Sequence, residues 1–170
     1  MSEPALSSVY LVDAYSDPVL VRINGRASFQ NSACLRDFFT ETRRQGKTRF
    51  VLDFQQCASI DSTFLGVLAG AALGLKKAAP AGSLVLARVG VRNLELIRNL
   101  GLHRILIVAG EAVPATFEQC DTALKCADRT EIEHARLVLE AHENLVSIDE
   151  SNRAKFQDVL TFLKGRVEQP

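Results

Sequence analysis

The sequence predicts an α/β fold: a mostly parallel, mixed β-sheet with crossover helices, followed by a C-terminal helical extension. Three observations carry that expectation. Short segments rich in branched residues, VLVRI, FVLDF, SLVLA and RILIV, alternate with stretches of helical periodicity, the order that builds parallel strands joined by crossovers. FVLDF, at residues 50–54, is nearly continuous in apolar side chains, as expected of a strand covered on both faces. Beyond Pro114 the texture changes. Residues 1–125 carry 14 basic and 11 acidic side chains, residues 126–170 carry 6 and 9, and the apolar residues of the tail fall at helical spacing.

The first strand pair joins residues 9–12 antiparallel to Val19–Ile23, and the following Asn24, Gly25 and Arg26 read as a turn. Leu35, Phe38, Phe39 and Thr42 share a helical face, so a helix is expected over about 31–45, opened by the polar QNS and stopped by Gly46. After the strand at 50–54, QQCAS reads as a loop and residues 62–78 as a helix closed by Pro80 and Gly82. Ser83–Ala87 is a further interior strand, 92–99 a short helix ended by Gly101, and 104–108 the last strand. In the tail, Ile132, Ala135, Leu139 and Val146 mark one helix and Phe156, Val159, Leu160, Leu163 and Val167 another, separated by residues 145–149. Two readings of this pair stay open: a hairpin packed on its own sheet domain, or an arm that dimerises or binds a partner. Neither stripe reaches the three heptads of a coiled coil.

Composition excludes several classes. The chain has 170 residues, 47% hydrophobic and 24% charged, enough for one core and a modest appendage. Twenty basic residues balance twenty acidic ones without a basic run, which argues against nucleic acid. The start, MSEPALSSVY, lacks the regions of a signal peptide, and the longest apolar run, 64–75, falls short of the roughly 20 residues of a membrane span. A cytoplasmic protein is expected. Cys34, Cys57, Cys120 and Cys126 form no CxxC pair, and His103, His134 and His142 share no ligand spacing with them, so no metal, no cofactor and no disulfide are expected.

The segment IDSTFLGVLAG, residues 60–70, is where chemistry concentrates. Asp61 is placed as an N-cap, its carboxylate accepting from free amides of the first turn and complementing the helix dipole. Gly66, Gly70 and Gly74 recur every four residues among alanines, so one face of the helix has almost no bulk and is expected to approach the sheet closely. Ser62 and Thr63 are expected to present solvent-exposed hydroxyls at the positive end of that helix, either as an idle cap or as a phosphate acceptor. Phe64 and Leu65 add an apolar contact beside them. Serine hydrolysis has no GxSxG elbow and no histidine that the sequence places beside Ser62; a Walker loop and a GxGxxG after a strand are also absent.

These residues carry a resemblance. VLDFQQCASIDSTFLGVLAG resembles the central motif of the STAS domain of bacterial anti-sigma factor antagonists: a strand ending in an acid, a loop, then Asp-Ser and a Leu-Gly step opening a helix. VLVRINGRAS is similar to that family's second strand and glycine turn. The resemblance spans roughly residues 8–112 and implies a STAS-like domain over 1–115, with 116–170 as a helical extension outside it. It implies a non-enzymatic, phosphorylation-switched binding module. The acceptor is Ser62, with Thr63 the alternative, and the partner-binding surface comprises Asn24, Gly25, Arg26, Asp61, Ser62, Thr63, Phe64 and Leu65. The implied partners are an anti-sigma factor with serine kinase activity, bound when Ser62 is unmodified, and a serine phosphatase that restores that state. Phe64 departs from the pattern, which has glycine there; it turns either into the core or onto the binding face. The alternatives are an unphosphorylated structural subunit of a signalling complex and a nucleotide-binding STAS module.

Overall fold

Alternation within the branched segments decides which face each strand buries. In β1 (Tyr10–Asp13) and β2 (Val19–Ile23), Tyr10, Val12, Val19, Val21 and Ile23 enter the main core, while Leu11 and Leu20 turn to the opposite face. The two strands pair antiparallel with Tyr10 opposite Ile23, as expected. The computed structural model describes residues 9–110 and 116–168. The boundary expected at 115 and the first eight residues of the amino-terminal stretch lie outside these.

After β2 the chain forms β3 (Gly25–Ala27), α1 (Ser32–Arg44), β4 (Arg49–Asp53), β5 (Cys57–Ile60), α2 (Ser62–Lys77), β6 (Ser83–Ala87), α3 (Val91–Asn99) and β7 (Ile107–Val108). It ends in β8 (Thr122–Ala123), α4 (Glu131–Ile148) and α5 (Asn152–Glu168). The main sheet runs β7-β6-β4-β2-β1-β8, with β2, β4, β6 and β7 parallel and β1 antiparallel to both its neighbours. This is the mixed α/β architecture expected, with two helices following it.

The core lies on one face of that sheet, where β-strand side chains meet Leu35 and Phe39 of α1, Phe64 and Leu68 of α2, and Ile97 of α3. The other face is covered differently. Leu20, Val51 and Ala87 pack beneath Phe117 and Cys120, a return segment rather than a helix. β4 is thus buried on both faces, as its apolar run requires, although an irregular segment supplies the second cover.

Four local expectations are corrected. QQCAS is not all loop: β5 pairs parallel with β3, the stretch read only as a turn, and Gly25 donates its N–H to the Gln56 carbonyl at 2.9 Å. The short ribbon is held by main-chain bonds and carries no apolar alternation. The strand expected over 104–108 shrinks to β7, because Gly101, at φ 84°, ends α3 and starts a 3-10 turn whose carbonyl at Leu102 takes the amides of Ile105 and Leu106. The break between the tail helices falls later than 145–149. Leu145 and Val146 are buried within α4, and Asp149 accepts from both the amide and the hydroxyl of Ser151, turning the chain there. Finally, Cys34 and Cys126 are joined as a disulfide across a Cα separation of 5.0 Å. The return of the tail over the start of α1 brings together two cysteines 92 positions apart, a proximity that spacing along the chain does not encode.

Candidate functional site

Asp61 holds the start of α2. Its backbone is extended, at φ −121° and ψ 176°, and its Oδ1 accepts the Phe64 amide at 2.9 Å, closing the N-cap. Its Oδ2 accepts the Phe29 amide at 2.8 Å, so the same carboxylate fastens the 28–31 loop to the head of the helix. That loop is organised by Asn31, whose Oδ1 accepts from the Tyr10 hydroxyl and the Ser28 amide while its Nδ2 donates to the Arg26 carbonyl. Because β3 pairs with β5, and β5 runs directly into Asp61, the turn at Asn24, Gly25 and Arg26 and the head of α2 belong to one ribbon. Gly25 and Arg26 are exposed and Asn24 is half-buried. Gly25 takes φ 84°, a conformation that favours glycine.

Ser62 is the first residue of α2, as expected, but it is half-buried rather than open to solvent, because α4 lies against it. Its Oγ lies 2.9 Å from Nε2 of His142 on α4, a residue only 3% exposed. Nδ1 of the same ring is 2.6 Å from the Val138 carbonyl. A carbonyl only accepts, so Nδ1 carries the proton, and in the neutral imidazole Nε2 accepts from the Ser62 hydroxyl. The Phe156 ring of α5 meets the imidazole edge to face, with centroids 4.8 Å apart. A histidine therefore stands beside Ser62, contrary to expectation, and it comes from the helical extension. The sequence does hold a faint signal. Ala135, Val138, His142 and Leu145 form a helical stripe in which the histidine is the one polar member.

The other residues expected at the surface fare differently. Thr63, Phe64 and Leu65 are buried at 4%, 0% and 1%, so in this conformation their side chains offer a partner nothing. Phe64 resolves inward, edge to face with Phe54 at 6.1 Å. The expectation that the glycine ladder faces the sheet is also corrected. A Cβ on Gly66 would collide with the Ala141 carbonyl, one on Gly70 would fall 2.5 Å from Asn144 Nδ2, and one on Gly74 would meet the Arg43 guanidinium. The ladder is therefore a seat for α4 and for Arg43 of α1. Asn144 adds a bond of 3.1 Å from Nδ2 to the Gly66 carbonyl. With the sheet on one side and α4 on the other, α2 is apolar all round because it is covered all round.

At the end of β4, Asp53 is buried and paired with Arg88, whose Nε donates to Oδ1 at 2.8 Å while Nη2 bonds the other carboxylate oxygen. Arg88 also lies over the Phe117 ring, 5.3 Å from its centroid. Burial pushes the free thiols of Cys57 and Cys120 up to about 11, so neither is a ready nucleophile near neutral pH. Among the described residues no cluster of three or more His, Cys, Asp or Glu is placed to hold a metal, and no helix is long and apolar enough to cross a membrane.

No curated protein matches the chain. Among solved structures, the anti-sigma factor antagonist SpoIIAA in its unphosphorylated form is similar over 61% of this chain and 89% of its own, with 17% identity and a TM-score of 0.50. The phosphorylated form of SpoIIAA, described as a Bacillus cell fate determinant, is similar over 60% and 92%, with 20% identity and a TM-score of 0.49. The first of these likenesses speaks for the fold. The family model described as Mlab, STAS domain, matches residues 11–109, more than half of the chain, and the chain belongs to the STAS domain family.

Proposed function

We propose that the chain is a non-enzymatic protein-binding module of the anti-sigma factor antagonist type, switched by phosphorylation of Ser62. In this reading it acts in the cytoplasm, regulates transcription, and comprises a STAS-like domain over 1–115 with a helical extension over 116–170. Its unmodified form binds an anti-sigma factor with serine kinase activity, and a serine phosphatase reverses the modification. The supporting observation is the position of Ser62 as the first residue of α2, directly after the capping Asp61 and on one ribbon with exposed Gly25 and Arg26. Ser62 is preferred to Thr63 as acceptor because Thr63 is buried.

The Ser62–His142 pair invites a hydrolytic reading, yet two features weigh against it. The imidazole is oriented by a main-chain carbonyl rather than a carboxylate, and it is sealed beneath Phe156. The same pair favours a second reading, a structural subunit of a signalling complex whose Ser62 is never modified and whose hydroxyl simply anchors α4.

Paired affinity baits test the proposal: wild-type protein and Ser62→Asp, incubated with lysate of the native cells, followed by calorimetric titration of the captured protein against wild type, Ser62→Ala and Ser62→Asp. The switch requires Ser62→Ala to bind at least as tightly as wild type and Ser62→Asp to bind at least tenfold more weakly. Equal affinities for all three would refute it.

A further inference from the structure

We infer that helix α4 is the moving part of the switch: it latches over Ser62 through His142, and a phosphate on Ser62 unseats it. This rests on the reading of Ser62 as a phosphoacceptor, and names how that site is regulated.

The argument starts from what His142 offers. With Nδ1–H committed to the Val138 carbonyl, the atom facing Ser62 is a lone pair, satisfied by the serine hydroxyl proton. Phosphorylation removes that proton and sets an ester of about −1.5 to −2 charges against the same lone pair. The Asp61 carboxylate stands next door, both of its oxygens already engaged. Among the described residues no lysine or arginine hydrogen-bonds to Ser62 or Asp61. A group of that charge, covered by a ring that is 3% exposed and roofed by Phe156, finds only the partial positive charge of the α2 N-terminus, which Asp61 already shares, and that falls short of what burial of charge demands.

Nor is there slack for it. At Gly66 the backbone of α4 lies so close to α2 that even a methyl group would meet the Ala141 carbonyl carbon and oxygen. The phosphate therefore displaces His142, and with it the neighbouring Ala141 and Asn144 that rest on the glycine seat.

The arm is built to swing without being lost. Its root is tied to α1 by the Arg129–Asp37 ion pair and, when oxidised, by the Cys34–Cys126 bond. Its corner is held where Asn152 donates to the carbonyls of Leu100 and Leu145. Between these anchors α4 spans the head of α2. Coupling is reciprocal: whatever lifts α4 exposes Ser62 to modification, and modification favours the lifted state by the same factor. A serine kinase then meets two populations, a latched form with Ser62 covered and an open form with Ser62 and the α2 glycine face presented together.

Hydrogen exchange on the full chain tests this, comparing wild type, Ser62→Ala and protein carrying phosphoserine encoded at position 62. The latch requires exchange of the amides of 138–148 to rise at least tenfold in the phosphoserine protein while those of β2, β4 and β6 stay protected. Ser62→Ala, which removes one hydrogen bond and adds no charge, should change the same amides less than threefold. Gly66→Ala supplies an opening that leaves Ser62 intact, and should raise exchange in 138–148 without any phosphate.

Unchanged or increased protection of 138–148 in the phosphoserine protein overturns the latch, the increase being what a protonated His142 clamping the phosphate would give. The two ideas fail separately. Phosphate found on Ser62 in native cells, with α4 still protected in the phosphoserine protein, discards the latch and keeps the switch. A Ser62 that is never modified in cells, with α4 released by encoded phosphoserine, keeps the coupling and discards the switch.

Discussion

Asp53 and Arg88 show how a single pair of side chains secures the end of a strand. Asp53 is 2% exposed, whereas Arg88 keeps about a third of its side chain in solvent and adopts a left-handed backbone, at φ 55°. Removing the guanidinium leaves a buried carboxylate without its partner. Arg88→Ala is therefore expected to cost about 3 kcal/mol in urea unfolding, whereas Asp53→Asn, which keeps a hydrogen-bonding group and removes the charge, should cost less. The two free thiols make a different prediction. With both pushed up to about 11 from a reference of 9.0, their thiolate fraction at pH 8 is about a hundredfold below that of an ordinary cysteine. Maleimide labelling of Cys57 and Cys120 in the folded protein should be correspondingly slow. The folded state favours the protonated thiols, so their contribution to stability is complete below pH 9 and is lost as the pH rises towards 11. Burial raises the Tyr10 phenol as well, which acts in the same direction at still higher pH. Urea midpoints at pH 8 and 10.5 check the sign: the midpoint should fall.

At the scale of elements, the seating of α4 on α2 is the contact that most shapes the site. Gly66 meets backbone and Gly70 meets only the tip of a flexible amide, so the two positions should differ although both lie in the same helix. Ala at position 70 gains helix propensity of about 1 kcal/mol, which offsets the displacement of Asn144, and should be nearly neutral. Ala at position 66 forces the helices apart and should cost about 1–3 kcal/mol despite the same gain. Thermal melts of the two variants decide the matter.

The glycine spacing was legible in the sequence; its meaning was not. A helix with a bulk-free face signals close approach, but periodicity within α2 cannot say whether the sheet or a helix seventy residues later fills it. The same limit hid His142, which pattern alone reads as one polar residue on an apolar stripe. By contrast β2, β4 and β6 were plain, because branched residues in short runs have few other uses. β3 and β5 escaped notice because main-chain bonds, not side-chain alternation, hold them.

Over the whole molecule, one sheet carries two unequal faces, and the tail closes both. Residues 117–120 cover the second face, Cys126 reaches α1, and α4 covers α2 on the first. A bond between residues 92 apart restricts the unfolded chain strongly, so reduction of Cys34–Cys126 should lower stability by about 2–4 kcal/mol. A peptide map of the oxidised protein without reductant should show these two cysteines linked and Cys57 and Cys120 free.

The family resemblance points to Ser62 as the proposed acceptor, while the tail beyond the matched residues 11–109 supplies the histidine that touches it. In the proposed switch, control of Ser62 is therefore a property of the full chain. The most direct measurement is the mass of the Ser62 peptide from protein isolated from its native cells in growth, starvation and stress. The account predicts a species heavier by one phosphate in at least one of these states, with the modification on Ser62. A peptide that stays unmodified in all of them would contradict it.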